Sequence, residues 1–228
     1  MSYVVPVPAI PTVPVEGGGE FPVHRIYCVG RNYAAHAREM GSDPDREDPF
    51  FFFKPADTVV LTGATIPYPV MTKEVHHEIE LVVALGKGGR DVKVEDAEKL
   101  IFGYAAGIDL TRRDLQNEAK KTGRPWDMGK GFDQSAPIGN IVRADKIKLN
   151  PKAEIWITIN GQTKQKSDLS KLIWSVPEVI SYLSRYIELA PGDLIYSGTP
   201  EGVNAVERGD DIVGHVDGVP DLHLRIAK

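Results

Sequence analysis

The run "EVHHEIELVVALG", residues 74–86, sets two carboxylates, Glu78 and Glu80, inside a stretch that otherwise reads as a strand bound for the core. Burying an unpaired carboxylate costs several kcal/mol or more, so a chain that folds this segment inward must bring the acids a partner from elsewhere. Residues two apart in a strand share a face, which puts the pair side by side, about 6–7 Å apart at Cβ. That suits two oxygen ligands of one hard cation, Mg²⁺ or Mn²⁺, whose charge cancels their repulsion. The same alternation also describes a half-buried strand with a solvated acidic face opposite Ile79, Leu81 and Val83. Spacing alone leaves both readings open.

A third acid bears on the choice. Asp109 follows the apolar stretch "GYAAGI" and stands just before a helical pattern. An aspartate there commonly caps the helix. The segment Thr111-Arg112-Arg113-Asp114 resembles a capping box, however, which frees Asp109 for another role. Three acidic oxygens from two strands make a divalent-cation site.

Other residues bring different chemistry. His36 and Glu39 are three apart on a predicted helix, hence neighbours on one face, where the carboxylate can orient the imidazole as a general base. An exposed helical pair of little energetic weight is the plainer reading. Lys130 lies between glycines in "DMGKGF", where an ammonium can hold an oxyanion or a carboxylate, although solvated loop lysines are common. Thr199, in "SGTPEG", occupies a turn whose backbone N–H groups suit an anion. Two other metal motifs fare differently. His76 and Glu78 match the short H-x-E of an iron facial triad, with His215 or His223 as the distant ligand. A zincin is excluded because Leu81 stands where its second histidine belongs.

The net charge of −5 without a basic cluster argues against nucleic acid, and no apolar run approaches the roughly 20 residues that span a bilayer. Neither a phosphate-loop lysine motif nor G-x-G-x-x-G is present, so nucleotide cofactors lack support. Cys28, the single cysteine, fits a buried strand and a reducing cytoplasm. The Pro/Gly-rich residues 1–21 read as an extended N-terminal arm before one domain at 22–228. Strands are expected at 25–30, 50–54, 78–86 and 103–110, with a hairpin turning at Asn160-Gly161. Helices are expected at 31–41, 94–102, 111–123 and 176–189. Strands dominate without a βαβ rhythm, which predicts an α+β, mostly β architecture.

Taken together, "YCVGRNYAAHAREMG", "FFFFKPAD", "HHEIELVVALG", "GYAAGIDLTRRDLQ", "PWDMGKGFDQSAPIG" and "GDLIYSGTPEGV" resemble the fumarylacetoacetate hydrolase family from about Arg25 to the C-terminus. The resemblance implies a compact mixed β-roll with a few peripheral helices, usually a homodimer. It implies Mg²⁺ or Mn²⁺ held by Glu78, Glu80 and Asp109. It implies His36, Glu39, Lys130 and Gln116 as catalytic groups, and Arg31, Arg113 and Thr199 as substrate-binding groups. The implied reaction is hydrolysis of the C3–C4 bond of a 2,4-dioxo acid, foremost fumarylpyruvate to fumarate and pyruvate, as in aromatic degradation of the gentisate type. Acylpyruvase, oxaloacetate decarboxylase and isomerase-hydratase activities are the alternatives within that family, and a 2-oxo-acid binding protein is the non-enzymatic one. Arg31, Arg112 or Arg113 would meet a second carboxylate, and the loop 41–49 would close over the substrate. Arg112 and Gly131 depart from the commonest family pattern and bear on specificity.

Overall fold

The computed structural model describes residues 3–39 and 47–228. Its largest sheet runs in the order Phe50–Lys54, Arg25–Gly30, Asp193–Tyr196, Ile79–Leu85, Ile101–Ile108, Ala136–Ile138 and Val59–Leu61, with Val142–Arg143 added beside Ile101–Ile108. The sheet is mixed: Asp193–Tyr196 is parallel to Arg25–Gly30 but antiparallel to Ile79–Leu85. A second sheet orders Gln162–Asp168, Glu154–Ile159, Asp211–Val216, Leu222–Ile226 and Ala64–Ile66. A small third one places Val75–His77 between Thr111–Arg112 and Asn204–Val206. This is the mostly β, mixed roll expected, with five α-helical segments among the described residues: α1 Ala34–Glu39, α2 Val94–Ala97, α3 Arg113–Thr122, α4 Asp127–Lys130 and α5 Val176–Tyr186.

Every residue of the strand Ile79–Leu85 is buried. Ile79, Leu81, Val83 and Leu85 join an apolar cluster with Ile155, Ile157, Ile212 and Leu224 of the second sheet. Val82 and Ala84 face the other way, into a cluster with Ile26, Cys28, Leu194 and Tyr196. Both faces of the strand are therefore interior, and the solvated-face reading of its acids is excluded. The second cluster is closed by Val13 and Phe21, from an antiparallel pair formed by Thr12–Pro14 and Glu20–Pro22. Residues 3–10 before it are exposed and outside regular structure.

Several boundaries differ from the sequence reading for identifiable reasons. Helix α1 starts only at Ala34, because Arg31 takes the left-handed φ of 59° and turns the chain first. The closure expected at Gly41 lies outside the described residues. Helix α2 ends at Ala97 and tightens into a 3-10 turn, since Ile101 is drawn into the sheet opposite Leu85. Thr111 does not cap α3. It pairs with His76 in the small sheet, and Arg112 occupies the cap position without a side-chain hydrogen bond. The hairpin at Asn160-Gly161 is as expected, with φ values of 50° and 75° that suit a tight primed turn.

Candidate active site

The strand that carries the two glutamates is broken between them. Glu78 falls in a gap between Val75–His77 and Ile79–Leu85, while Glu80 lies within the ladder. Gln165 holds the gap open: its Oε1 accepts from the Ile79 N–H at 3.1 Å and from His77 Nδ1 at 2.9 Å. Across the gap, the Asp109 N–H donates to the Glu78 carbonyl at 2.8 Å. One carboxylate oxygen from each of Glu78, Glu80 and Asp109 consequently lies within 4.8 Å of the others, and all three residues are buried. They form the one such acidic group among the described residues.

The partners demanded by burial are present but unevenly shared. Lys130 Nζ donates to Glu78 Oε2, Asp109 Oδ2 and Thr111 Oγ1, each at 2.7 Å. Arg113 Nη2 donates to Glu78 Oε1, and Lys54 Nζ lies 2.8 Å from Asp109 Oδ1. Glu80 has a backbone donor, the Gly198 N–H at 2.7 Å, and no ion pair among the described residues. Gly198 is required there: its φ is +100°, and a Cβ would sit 2.7 Å from Asn32 Cβ. The electrostatic consequences diverge. Burial acts to raise the Glu78 carboxyl, yet Lys130 and Arg113 outweigh it and hold the group well below the usual range. Burial, then Asp109 and Glu78, push the Glu80 carboxyl well up. Burial acts to lower Lys130, but Asp109 and Glu78 keep its ammonium charged beyond the ordinary range.

This donor set fits Mg²⁺ or Mn²⁺. Three carboxylate oxygens converge, hard ligands suit hard cations, and a divalent charge would stabilise the anionic form of Glu80, which makes no ion pair among the described residues.

The cleft over the triad is lined by His36, Gln116, Lys130 and Thr199 together with Arg31 and Arg113, while Asp109 lies beneath, fully buried. His36 Nδ1 is 3.3 Å from Glu39 Oε2, and the Glu39 carboxylate also accepts from the Gly202 N–H at 3.2 Å. With Nδ1 turned to Glu39, Nε2 is left as the basic nitrogen. Gln116 Oε1 accepts from Arg113 Nη1 at 2.6 Å, which leaves the amide N–H groups to donate. Arg113 also donates from Nε to His76 Nδ1 at 3.2 Å, so its guanidinium is committed to protein partners. Arg112 stacks on Phe132, 4.4 Å from the ring centroid. The iron-triad reading is not supported: no histidine joins the group around Glu78 among the described residues. His76 is held by Glu74 and Arg113, His215 stacks on Trp156 between Asp217 and Asp221, and His223 is exposed.

Three residues at or beside this site escape a sequence reading. Lys54 ends an aromatic strand, and its period-two register with buried Phe52 was the available signal. Gln165 lies on a uniformly polar strand that offers no contrast to single it out. Lys120 sits in a run of polar helix residues, and nothing local distinguishes it from its solvated neighbours.

Comparison with known proteins agrees with this geometry. The family model described as fumarylacetoacetate hydrolase C-terminal matches residues 25–227. The chain belongs to the fumarylacetoacetate hydrolase family. Among curated members of that family, a fumarylpyruvate hydrolase from Ralstonia sp is 48% identical over 189 residues, covering 82% of this chain and 98% of the relative. The human mitochondrial oxaloacetate tautomerase is 40% identical over 203 residues, 89% of this chain and 91% of the relative. Among solved structures of the family, fumarylpyruvate hydrolase from Pseudomonas aeruginosa in complex with Mn²⁺ and pyruvate superposes with a TM-score of 0.96. It is 52% identical, with 99% of each chain covered.

Proposed function

We propose that this protein is a metal-dependent hydrolase that cleaves the C3–C4 bond of a 2,4-dioxo acid, with fumarylpyruvate giving fumarate and pyruvate. The observation that carries the reading is one cleft in which three buried carboxylates adjoin both a histidine–glutamate pair and two hydrogen-bond donors. Glu78, Glu80 and Asp109 would hold Mg²⁺ or Mn²⁺, which when bound supplies Lewis-acid stabilisation to the 2-oxo acid and to the enolate that leaves.

The remaining steps belong to the chain's own groups. His36, with Nδ1 held by Glu39, takes a proton from water at Nε2 as the water oxygen bonds to C4. Gln116 and Lys130 donate to the oxygen of C4 as it becomes anionic, a type of contact typically worth about 3–4 kcal/mol. All three Lys130 N–H groups are engaged with Glu78, Asp109 and Thr111, so donation to that oxyanion means exchanging one of them. Collapse at C4 expels the pyruvate carbanion as its enolate, and transfer of the proton held on His36 to C3 completes the products and restores the neutral base. Thr199 and the backbone of its turn bind the 2-oxo-acid carboxylate.

The same reading places catalysis in residues 22–228, with 1–21 as an arm. It also makes the protein a cytoplasmic homodimer serving aromatic catabolism. Phe50, Phe53 and Tyr186 leave apolar surface exposed that a second copy would cover; no helix among the described residues is long and apolar enough to cross a membrane.

The test is pyruvate release from fumarylpyruvate, acetylpyruvate and oxaloacetate, each with Mn²⁺ and with EDTA. Metal-dependent turnover strongest on fumarylpyruvate supports the proposal. Preference for acetylpyruvate makes the protein an acylpyruvase, and preference for oxaloacetate a decarboxylase. No turnover of any of the three overturns the hydrolase reading.

A further inference from the structure

The cleft holds more positive charge than the proposed chemistry uses. Lys130 and Arg113 are committed to Glu78 and Asp109, and Lys54 to Asp109. Two further cations line the same cleft, Arg31 and Lys120. Neither has a carboxylate within ion-pair distance among the described residues. Lys120 is half-buried on α3, with Nζ 5.1 Å from the centre of the Trp126 ring. Burial, and then Arg113 and Arg31, push its ammonium down to about 8, outweighing the opposing pull of Glu78. Arg31 is held in the left-handed region at φ 59°, a backbone cost that surrounding structure must sustain and that gathers at ligand sites.

A chain of ring contacts relates these cations to the acidic centre. Lys130 Nζ lies 4.9 Å from the Phe52 ring, Phe52 packs on Trp126 at 5.8 Å, and Lys120 lies over Trp126. Phe52 and Trp126 thus make an apolar wall with a committed ammonium at one end and an uncommitted one at the other. A ligand that matches the cleft has a flat, apolar middle and a second anion remote from its 2-oxo acid.

We propose that Lys120, together with Arg31, binds the second carboxylate of a diacid substrate and so sets the preference for fumaryl over simple acyl groups. This rests on the hydrolase reading above and assigns Lys120 a role in specificity. The Phe52–Trp126 wall lies along the unsaturated carbons between the two anionic ends. Arg31 supplies the second cation of the subsite, and α3 fixes the Lys120 stem.

The test compares wild type with Lys120→Met and Lys120→Arg on fumarylpyruvate and acetylpyruvate, with Mn²⁺ present. Methionine keeps the stem and removes the charge, and arginine keeps the charge. The expected result is that Lys120→Met lowers the ratio of kcat/KM for fumarylpyruvate over acetylpyruvate by about 10- to 100-fold, mainly through KM. Lys120→Arg restores most of that ratio. Equal losses on both substrates, or an unchanged ratio, overturn the proposal. Wild-type turnover of fumarylpyruvate tests the hydrolase reading separately. Should wild type turn over neither substrate, calorimetric titration of the Mn²⁺-loaded proteins with fumarate and with pyruvate decides. Weaker fumarate binding with pyruvate binding retained in Lys120→Met supports the subsite, and equal fumarate binding overturns it. Matched thermal midpoints of the three proteins exclude misfolding as the cause.

Discussion

Gln165 Nε2 donates to Thr199 Oγ1 at 2.9 Å, and the same amide group donates to the Pro200 carbonyl at 2.7 Å. The Thr199 oxygen is thereby an acceptor toward the protein, which leaves its hydrogen free to be donated into the cleft that Thr199 lines. One amide side chain thus fixes both the break in the strand at Glu78 and the polarity of the turn that carries Thr199.

Replacing Gln165 by Met should orphan the His77 and Ile79 donors and cost about 1–3 kcal/mol of stability per group left unpaired. It should also weaken competitive inhibition by pyruvate, because the Thr199 hydroxyl loses its orientation. In a Thr199→Val background the inhibition effect should vanish, and a double-mutant cycle on the pyruvate inhibition constant checks it. Additive effects would show that Gln165 acts elsewhere.

The two glutamates should respond oppositely to amidation. Glu78→Gln leaves Arg113 and Lys130 short of negative charge and should destabilise the metal-free protein by about 3–5 kcal/mol. Glu80→Gln removes a carboxyl that burial, Asp109 and Glu78 already disfavour as an anion, so metal-free stability should hold or rise. Stabilisation by Mn²⁺ should be lost in both. Urea unfolding in EDTA and then in Mn²⁺ measures all four quantities, and equal metal-free losses would contradict the charge assignment.

The pH profile should locate His36. Burial lowers its basicity below the ordinary value of 6.5, against opposing contributions from Glu78 and from the hydrogen bond to Glu39. A general base works when neutral, so kcat/KM should fall on acidification through an apparent pKa below 6.5. Glu39→Gln removes a raising contribution and should move that limb lower still while slowing the reaction. A limb above 6.5, or one unmoved by Glu39→Gln, would assign the base to another group.

His77 should make the fold acid-sensitive. Its Nδ1–H donates to Gln165, and its buried Nε2 has no hydrogen-bond partner among the described residues, so protonation finds no acceptor there. Burial drives its pKa down to about 4 from 6.5. The unfolded chain therefore binds this proton first. The contribution to stability is complete above 6.5 and is lost as pH falls toward 4, a change of about 3 kcal/mol. His77→Asn keeps a donor for Gln165 without the titration. The variant should show a flatter stability curve between pH 6.5 and 4 in EDTA, and a parallel curve would reject the assignment.

Reading along the chain was sufficient wherever one segment carries its own constraint. The apolar run with Glu78 and Glu80, the Asn160-Gly161 turn and the start of α5 with Pro177 in its first turn are local patterns of burial, backbone sign and ring geometry, and each appears in the fold. The acids alone required a partner, but not which one. Lys130 is 52 positions from Glu78, Arg113 is 35, and Gln165 is 86 from Ile79. Those pairings exist because two sheets and a short helix close over one strand, and no local propensity encodes a contact at such separation. Thr111 shows the same limit from the other side. Its sequence neighbours suit a helix cap, yet its hydroxyl accepts from Lys130 and its backbone pairs with His76, since burying three carboxylates makes stronger demands than ending a helix neatly.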